Sequence, residues 1–126
     1  MDRGLKAHTA TQDALADLLS SSGLTPLSSF DKRCHFDLAW TIDDGAVGVA
    51  ELKSNTEANE AFQVRHGLGQ VLDYGHRMKG RGFRPKLFLV LERKPRAANH
   101  WTALCASHDV TLTWAPLFSG VMGPEA

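Results

Sequence analysis

The period of apolar and polar positions changes along the chain, and each change marks an element. Over residues 3–22, apolar side chains fall at Leu5, Ala7, Ala14, Leu15, Leu18 and Leu19, close to helical spacing. Gly23 follows where a helix commonly stops, so the spacing predicts a first helix there. Residues 33–40 switch to alternation, with Phe36, Leu38 and Trp40 on one side and His35, Asp37 and Ala39 on the other, the signature of a strand. Asp44-Gly45 is a tight-turn dipeptide leading into a second apolar strand over 46–53, which predicts an antiparallel hairpin.

Polar SNTEANE then opens a long helix, predicted over 57–79, with Phe62, Leu68, Val71, Leu72 and Met78 as packing positions. Glu57 and Glu60 suit its first turn, Arg77 and Lys79 its last, and Gly80 and Gly82 end it. KLFLVLE at 86–92 is continuously apolar, as in a central strand covered on both faces. ANHWTALCASH at 98–108 reads as a last helix and VTLTW at 110–114 as a closing strand, with the remaining residues irregular. The order α-β-β-α-β-α-β predicts an α/β fold: one domain over 1–126 with a central mixed sheet and helices on both sides.

Composition agrees with that picture. The 126 residues, 43% hydrophobic and 22% charged, are enough for one core without disulfide staples. No apolar run reaches the ~18–20 residues a membrane span needs, and the N-terminus lacks a basic-then-apolar signal, so the expected location is the cytoplasm. Cys34 and Cys105 form no CxxC spacing and are expected to be small buried residues in a reducing compartment. A formal net charge of zero argues against indiscriminate polyelectrolyte binding. The charges are nonetheless uneven: residues 77–96 hold Arg77, Lys79, Arg81, Arg84, Lys86, Arg93, Lys94 and Arg96, with Glu92 the only acid. That segment is either a solvated helix end and loop or a patch that contacts phosphates, carried first by Arg77, Lys79, Arg81, Arg84 and Lys86.

Candidate chemistry sits in AVGVAELKSNTE, residues 46–57, where a buried-looking strand ends in Glu51-Leu52-Lys53. Side chains two apart share a strand face, so Val47, Val49, Glu51 and Lys53 point one way and Ala46, Gly48, Ala50 and Leu52 the other. The charges are open to two readings, an ion pair at a sheet edge or half of a metal-dependent site. Folding the hairpin back from its turn brings Asp37 near Glu51, and two carboxylates can hold a hard cation such as Mg²⁺, with Mn²⁺ as a substitute and the Leu52 carbonyl as a further ligand. Lys53 would then assist an attacking water. On the next helix Gln63, Gly67, Gln70 and Tyr74 form one stripe. Gly67 and Gly69 cost ~1 kcal/mol each in a helix interior, which predicts a close approach to the sheet or a ligand. No nucleophile-elbow serine, glycine-rich phosphate loop or histidine metal spacing competes with this arrangement.

Asp37 with Glu51-Leu52-Lys53, spread over a hairpin between two helices, resembles the PD-(D/E)XK nuclease superfamily, whose fold is restriction-endonuclease-like. Gln70, followed one turn later by Tyr74, matches the glutamine-bearing helix of many members. The resemblance implies a Mg²⁺-dependent DNA endonuclease leaving 5′-phosphate and 3′-hydroxyl ends, with Asp37 and Glu51 as metal ligands and Asp37, Glu51, Lys53 and Gln70 as the catalytic set. His8, Gln12, Gln63 and Tyr74 are accessory candidates. Two departures stand out: Phe36 replaces the proline, and the first helix offers His8 and Gln12 where members often place a Glu. A homodimer or a complex with a specificity protein is expected, since one site cuts one strand of DNA. The rival reading is a nuclease-like module that binds nucleic acid or a protein without catalysis.

Overall fold

The computed structural model describes residues 3–27, 29 and 36–122. Its elements follow the predicted order: α1 (Arg3–Ser21), β1 (Leu38–Asp43), β2 (Ala46–Lys53), α2 (Glu60–Gly80), β3 (Arg84–Leu91), α3 (Ala98–Ala106) and β4 (Val110–Trp114). The strands form one mixed sheet in the order β1-β2-β3-β4, antiparallel at the hairpin and parallel across β2–β3 and β3–β4. Gly45 at the hairpin tip has φ of +77°, which glycine adopts without the clash a Cβ would bring. Parallel neighbours require crossover connections, and α2 and α3 supply them.

Alternation in the strands divides the core between the two faces. Val49, Leu87, Leu89, Leu91 and Leu112 pack under Val64, Leu68 and Val71 of α2 and Trp101 and Cys105 of α3. On the opposite face, Leu38, Trp40, Ala50, Leu52, Phe88 and Val90 meet Leu15 and Leu19 of α1. Residues 87–91 of β3 are all buried, as predicted for a central strand. Residues 115–122 form no helix or strand yet are not peripheral: Phe118 and Val121 are buried and close the α1-side core. No helix among the described residues is long and apolar enough to cross a membrane.

Several expectations need correction. The first strand begins at Leu38, five residues later than predicted, and runs on to Asp43. Residues 33–35, with Cys34, lie outside the described residues. Phe36 joins the α2-side core, whereas Leu38 and Trp40 face α1, because the chain bends at Asp37 and breaks the alternation. The long helix starts at Glu60, not 57: Asn59 Oδ1 accepts the Thr56 N–H at 2.7 Å and holds the preceding residues in a turn. Phe62, a predicted packing residue, is 66% exposed, since it lies opposite the buried Val64–Val71 face of the helix. Ala14 is exposed too, on the flank of the buried Thr11–Leu15–Leu19 stripe of α1. The last helix ends at Ala106.

Candidate active site

The β1–β2 register sets Leu38 opposite Ala50, so one residue further back Asp37 faces Glu51. Asp37 lies just outside the assigned strand, at a bend, and its N–H donates to the Ala50 carbonyl at 3.1 Å. Its carboxylate is held from two sides. Oδ2 accepts the Leu52 N–H at 2.7 Å, and His8 Nε2 approaches Oδ1 at 3.4 Å. Gln12, one turn beyond His8 on α1, donates Nε2 to the Asp37 carbonyl at 3.3 Å. Helix α1 therefore fixes Asp37 by its side chain and its backbone.

Glu51 is 5% exposed. It shares a hydrogen bond with the Asp37 carboxyl and accepts another from the Tyr74 hydroxyl, while its Oε2 is buried with no hydrogen-bond partner among the described residues. Burial, and then the adjoining Asp37, push the Glu51 carboxyl up to about 9. Burial also works against Asp37 ionising, but the hydrogen bonds from His8, Glu51 and the Leu52 N–H outweigh it and hold Asp37 below the usual carboxylate range. His8 is raised, chiefly by its hydrogen bond to Asp37. In this arrangement the shared proton resides on Glu51.

Lys53 stands two residues on, on the same face as Glu51, and is half-buried at the strand end. A Cβ on Gly67 would lie 3.1 Å from Lys53 Cγ and 2.5 Å from Leu89 Cδ1, so α2 comes this close to the sheet only because residue 67 is glycine. The predicted close approach holds there and fails at Gly69, which is exposed and has nothing within 4 Å. Gln70, half-buried on the same helix flank as Tyr74, has its Oε1 buried with no hydrogen-bond partner among the described residues. Gln63 shares that flank, but no described hydrogen bond ties it to the carboxylates. The structure thus assembles Asp37, Glu51, Leu52, Lys53, His8, Gln12 and Tyr74, with Gln70 alongside.

The chemistry of this set suits a hard divalent cation. Two carboxyls forced together in a buried setting need either a proton or a cation between them, and Glu51 Oε2 is an orphaned acceptor. In a strand the N–H and C=O of one residue face the same side, so the Leu52 carbonyl opens toward the edge where its N–H meets Asp37. Among the described residues no group of three or more His, Cys, Asp or Glu side chains gathers around one point, so any such ion would rely on two carboxylates and backbone or solvent oxygens.

Two further residues shape the rim, and sequence reasoning missed their part. Asn55, 1% exposed, pairs with both backbone groups of Arg93: Nδ2 donates to the carbonyl at 3.2 Å, and Oδ1 accepts the N–H at 3.3 Å. Glu60 accepts the N–H groups of Arg96 at 2.7 Å and Ala97 at 3.0 Å, and Trp101 Nε1–H at 3.1 Å. Burial opposes its ionisation, but those donors outweigh it and hold Glu60 below the ordinary range. The five candidate phosphate contacts lie elsewhere. Arg77 pairs with Asp73 at 3.2 Å, and Arg84 pairs with Asp43 at 3.0 Å beside the hairpin tip. Lys79 and Arg81 are exposed at the end of α2, and Lys86 turns onto the α1 face, 5.6 Å from the Phe88 ring centre.

Comparison with family models, with curated proteins and with solved structures returns no match to this chain.

Proposed function

We propose that this protein is a metal-dependent nuclease of the PD-(D/E)XK kind, acting on phosphodiester bonds of DNA. One observation carries the reading: the Asp37 and Glu51 carboxyls meet at the end of a β-hairpin, Lys53 shares their face, and a buried Glu51 oxygen has no hydrogen-bond partner among the described residues. Asp37, Glu51 and the Leu52 carbonyl would hold Mg²⁺ or Mn²⁺. Such an ion, when bound, supplies positive charge that polarises a phosphodiester and makes a neighbouring water more acidic. The Lys53 ammonium orients the attacking water and stabilises negative charge developing on the phosphoryl oxygens. Water attacks phosphorus in line, the bond to the 3′ oxygen breaks, and that oxygen takes a proton, leaving 5′-phosphate and 3′-hydroxyl ends. Tyr74 holds Glu51, while His8 and Gln12 hold Asp37. Gln70, whose amide oxygen has no hydrogen-bond partner among the described residues, receives a hydrogen bond from water or substrate.

The experiment is Mg²⁺- and Mn²⁺-dependent cleavage of plasmid, branched and single-stranded DNA by wild type beside Lys53→Ala. Loss of one stabilising charge of this kind costs ~10²–10³-fold in rate, with melting temperature unchanged because Lys53 is at a strand end. A lysine variant that cuts as fast as wild type would refute the assigned roles.

A second reading has an observation in its favour. Both Asp37 oxygens already meet protein donors, and α1 presents His8 where a carboxylate would strengthen cation binding. On that reading the chain is a non-catalytic module that binds nucleic acid or a protein. A folded wild type that cleaves no nucleic acid with either metal, yet binds one, would establish it.

A further inference from the structure

The basic stretch of the sequence is divided by the sheet between two poles. Arg84 pairs with Ala46 at the start of β2 and bonds the Asp44 carbonyl at 2.8 Å. Ala46 and Lys53 end the same strand, about 23 Å apart at ~3.3 Å per residue. Arg77, Lys79 and Arg81 close α2 at that same far pole, because α2 runs back from the Lys53 end to the start of β3.

Arg93, Lys94 and Arg96 are at the near pole. Lys53 pairs with Leu91, the Glu92 N–H donates to the Lys53 carbonyl at 3.2 Å, and Arg93 is the next residue. Two chain steps of ~3.8 Å and one strand spacing of ~4.8 Å keep the Cα atoms of Arg93 and Lys53 within about 12 Å.

The backbone carrying these cations is clamped. Asn55 holds Arg93 at both main-chain groups, and Glu60 holds the N–H groups of Arg96 and Ala97. Asn55 lies in the connection that leaves Lys53 and Glu60 opens α2 at its end, so site and basic loop are braced against each other. The three side chains themselves are exposed. Arg93 lies 3.9 Å from Glu92 and Arg96 lies 3.8 Å from Glu57, long contacts of the kind that contribute little in water. Lys94 has no ion-pair partner among the described residues, and it borders a polar depression of about 260 Å³ shared with Arg96, Asn99 and His100. A rigid backbone with loosely committed cations is suited to a polyanion that passes the site.

We propose that the 93–96 loop is the backbone-binding arm of this site. A nucleic-acid strand with its scissile phosphodiester over Glu51 and Lys53 lays its neighbouring phosphates on Arg93, Lys94 and Arg96, and the Arg77–Lys86 group takes no part. The proposal rests on the nuclease reading above.

The test is metal-free fluorescence anisotropy with labelled single- and double-stranded DNA oligonucleotides over a salt series. Wild type is compared with R93A/K94A/R96A, with the single variant K94E, and with R77A/K79A/R81A. Each lost phosphate contact lowers the slope of log affinity against log salt by ~0.7 for single strands and ~0.9 for duplex. The near-pole triple variant is therefore expected to lower the slope by about 2–3 and the affinity tenfold or more, K94E to weaken binding in the same direction, and the far-pole variant to stay within about twofold of wild type. Equal or larger losses in the far-pole variant, or none at the near pole, overturn the arm while leaving a metal-dependent cleavage result standing. If wild type binds no oligonucleotide and cuts none, arm and nuclease reading fall together. If a polyglutamate peptide binds as tightly as DNA with the same slope, the loop is a general polyanion surface and its assignment to nucleic acid falls.

Discussion

Between Asp37 and Glu51 there is room for one proton, and their neighbours decide where it stays. His8 and the Leu52 N–H favour a charged Asp37, while burial favours a neutral Glu51. The folded-state value of Glu51, about 9, is above its unfolded value near 4.5. Its contribution to the metal-free fold is thus complete in acid below the unfolded value and is lost as pH rises toward 9. Asp37 works in reverse: its contribution is present above its unfolded value and is lost as pH falls through its lowered one. Chelator-treated wild type should accordingly lose thermal stability from pH 5 to 9. Glu51→Gln, which keeps an N–H to donate toward Asp37, should flatten that dependence and raise the melting temperature at pH 8 by about 3–8 °C. Calorimetry across the pH range decides it, and a variant as pH-sensitive as wild type would show that the proton resides elsewhere. Two-residue alternation suffices to put Glu51 and Lys53 on one face. The proton's location was not legible, because it depends on burial and on partners as distant in sequence as His8 and Tyr74.

At the scale of elements, α2 contains two glycines that look alike in the sequence and differ in the fold. Gly67 sits where α2 touches β2 and β3, and Gly69 points into open space. Gly67→Ala forces Leu89 and Lys53 to shift, with an expected loss of about 1–3 kcal/mol. Gly69→Ala removes backbone freedom from the unfolded chain at no steric cost, with an expected gain of roughly 0.5–1 kcal/mol. Urea unfolding of the two variants measures both, and equal effects would mean the helix does not pack as described. Helix periodicity located α2 and the flank carrying Gln70 and Tyr74, since that signal is local. It could not separate the glycines, because only the neighbouring strands distinguish them. The bend at Asp37 escaped for a related reason: it arises from contacts with α1 and Leu52, and nothing in the alternation of Phe36, Leu38 and Trp40 announces it.

Across the whole molecule, the sheet separates chemistry at one pole from the hairpin tip and the end of α2 at the other. Element order and the burial of β3 were readable from hydrophobic runs. The clamps were not, because Asn55 and Glu60 are polar residues whose main partners are backbone groups far along the chain. Glu60 joins the start of α2 to the start of α3, and Glu60→Ala strands three N–H donors, including that of the buried Trp101. The expected cost is roughly 3 kcal/mol, with amide exchange in residues 92–97 rising more than in β2 or β3. A loss below about 0.5 kcal/mol would mean that solvent replaces the carboxylate without penalty.

The hairpin tip at Asp44-Gly45 has a practical meaning of its own. It reverses the chain at the pole remote from Glu51, latched by Arg84, and a lengthened turn there leaves the register that opposes Asp37 to Glu51 in place. This is the point at which a recognition segment or a reporter can be spliced in, giving the molecule a new address without disturbing the end that holds Asp37 and Glu51.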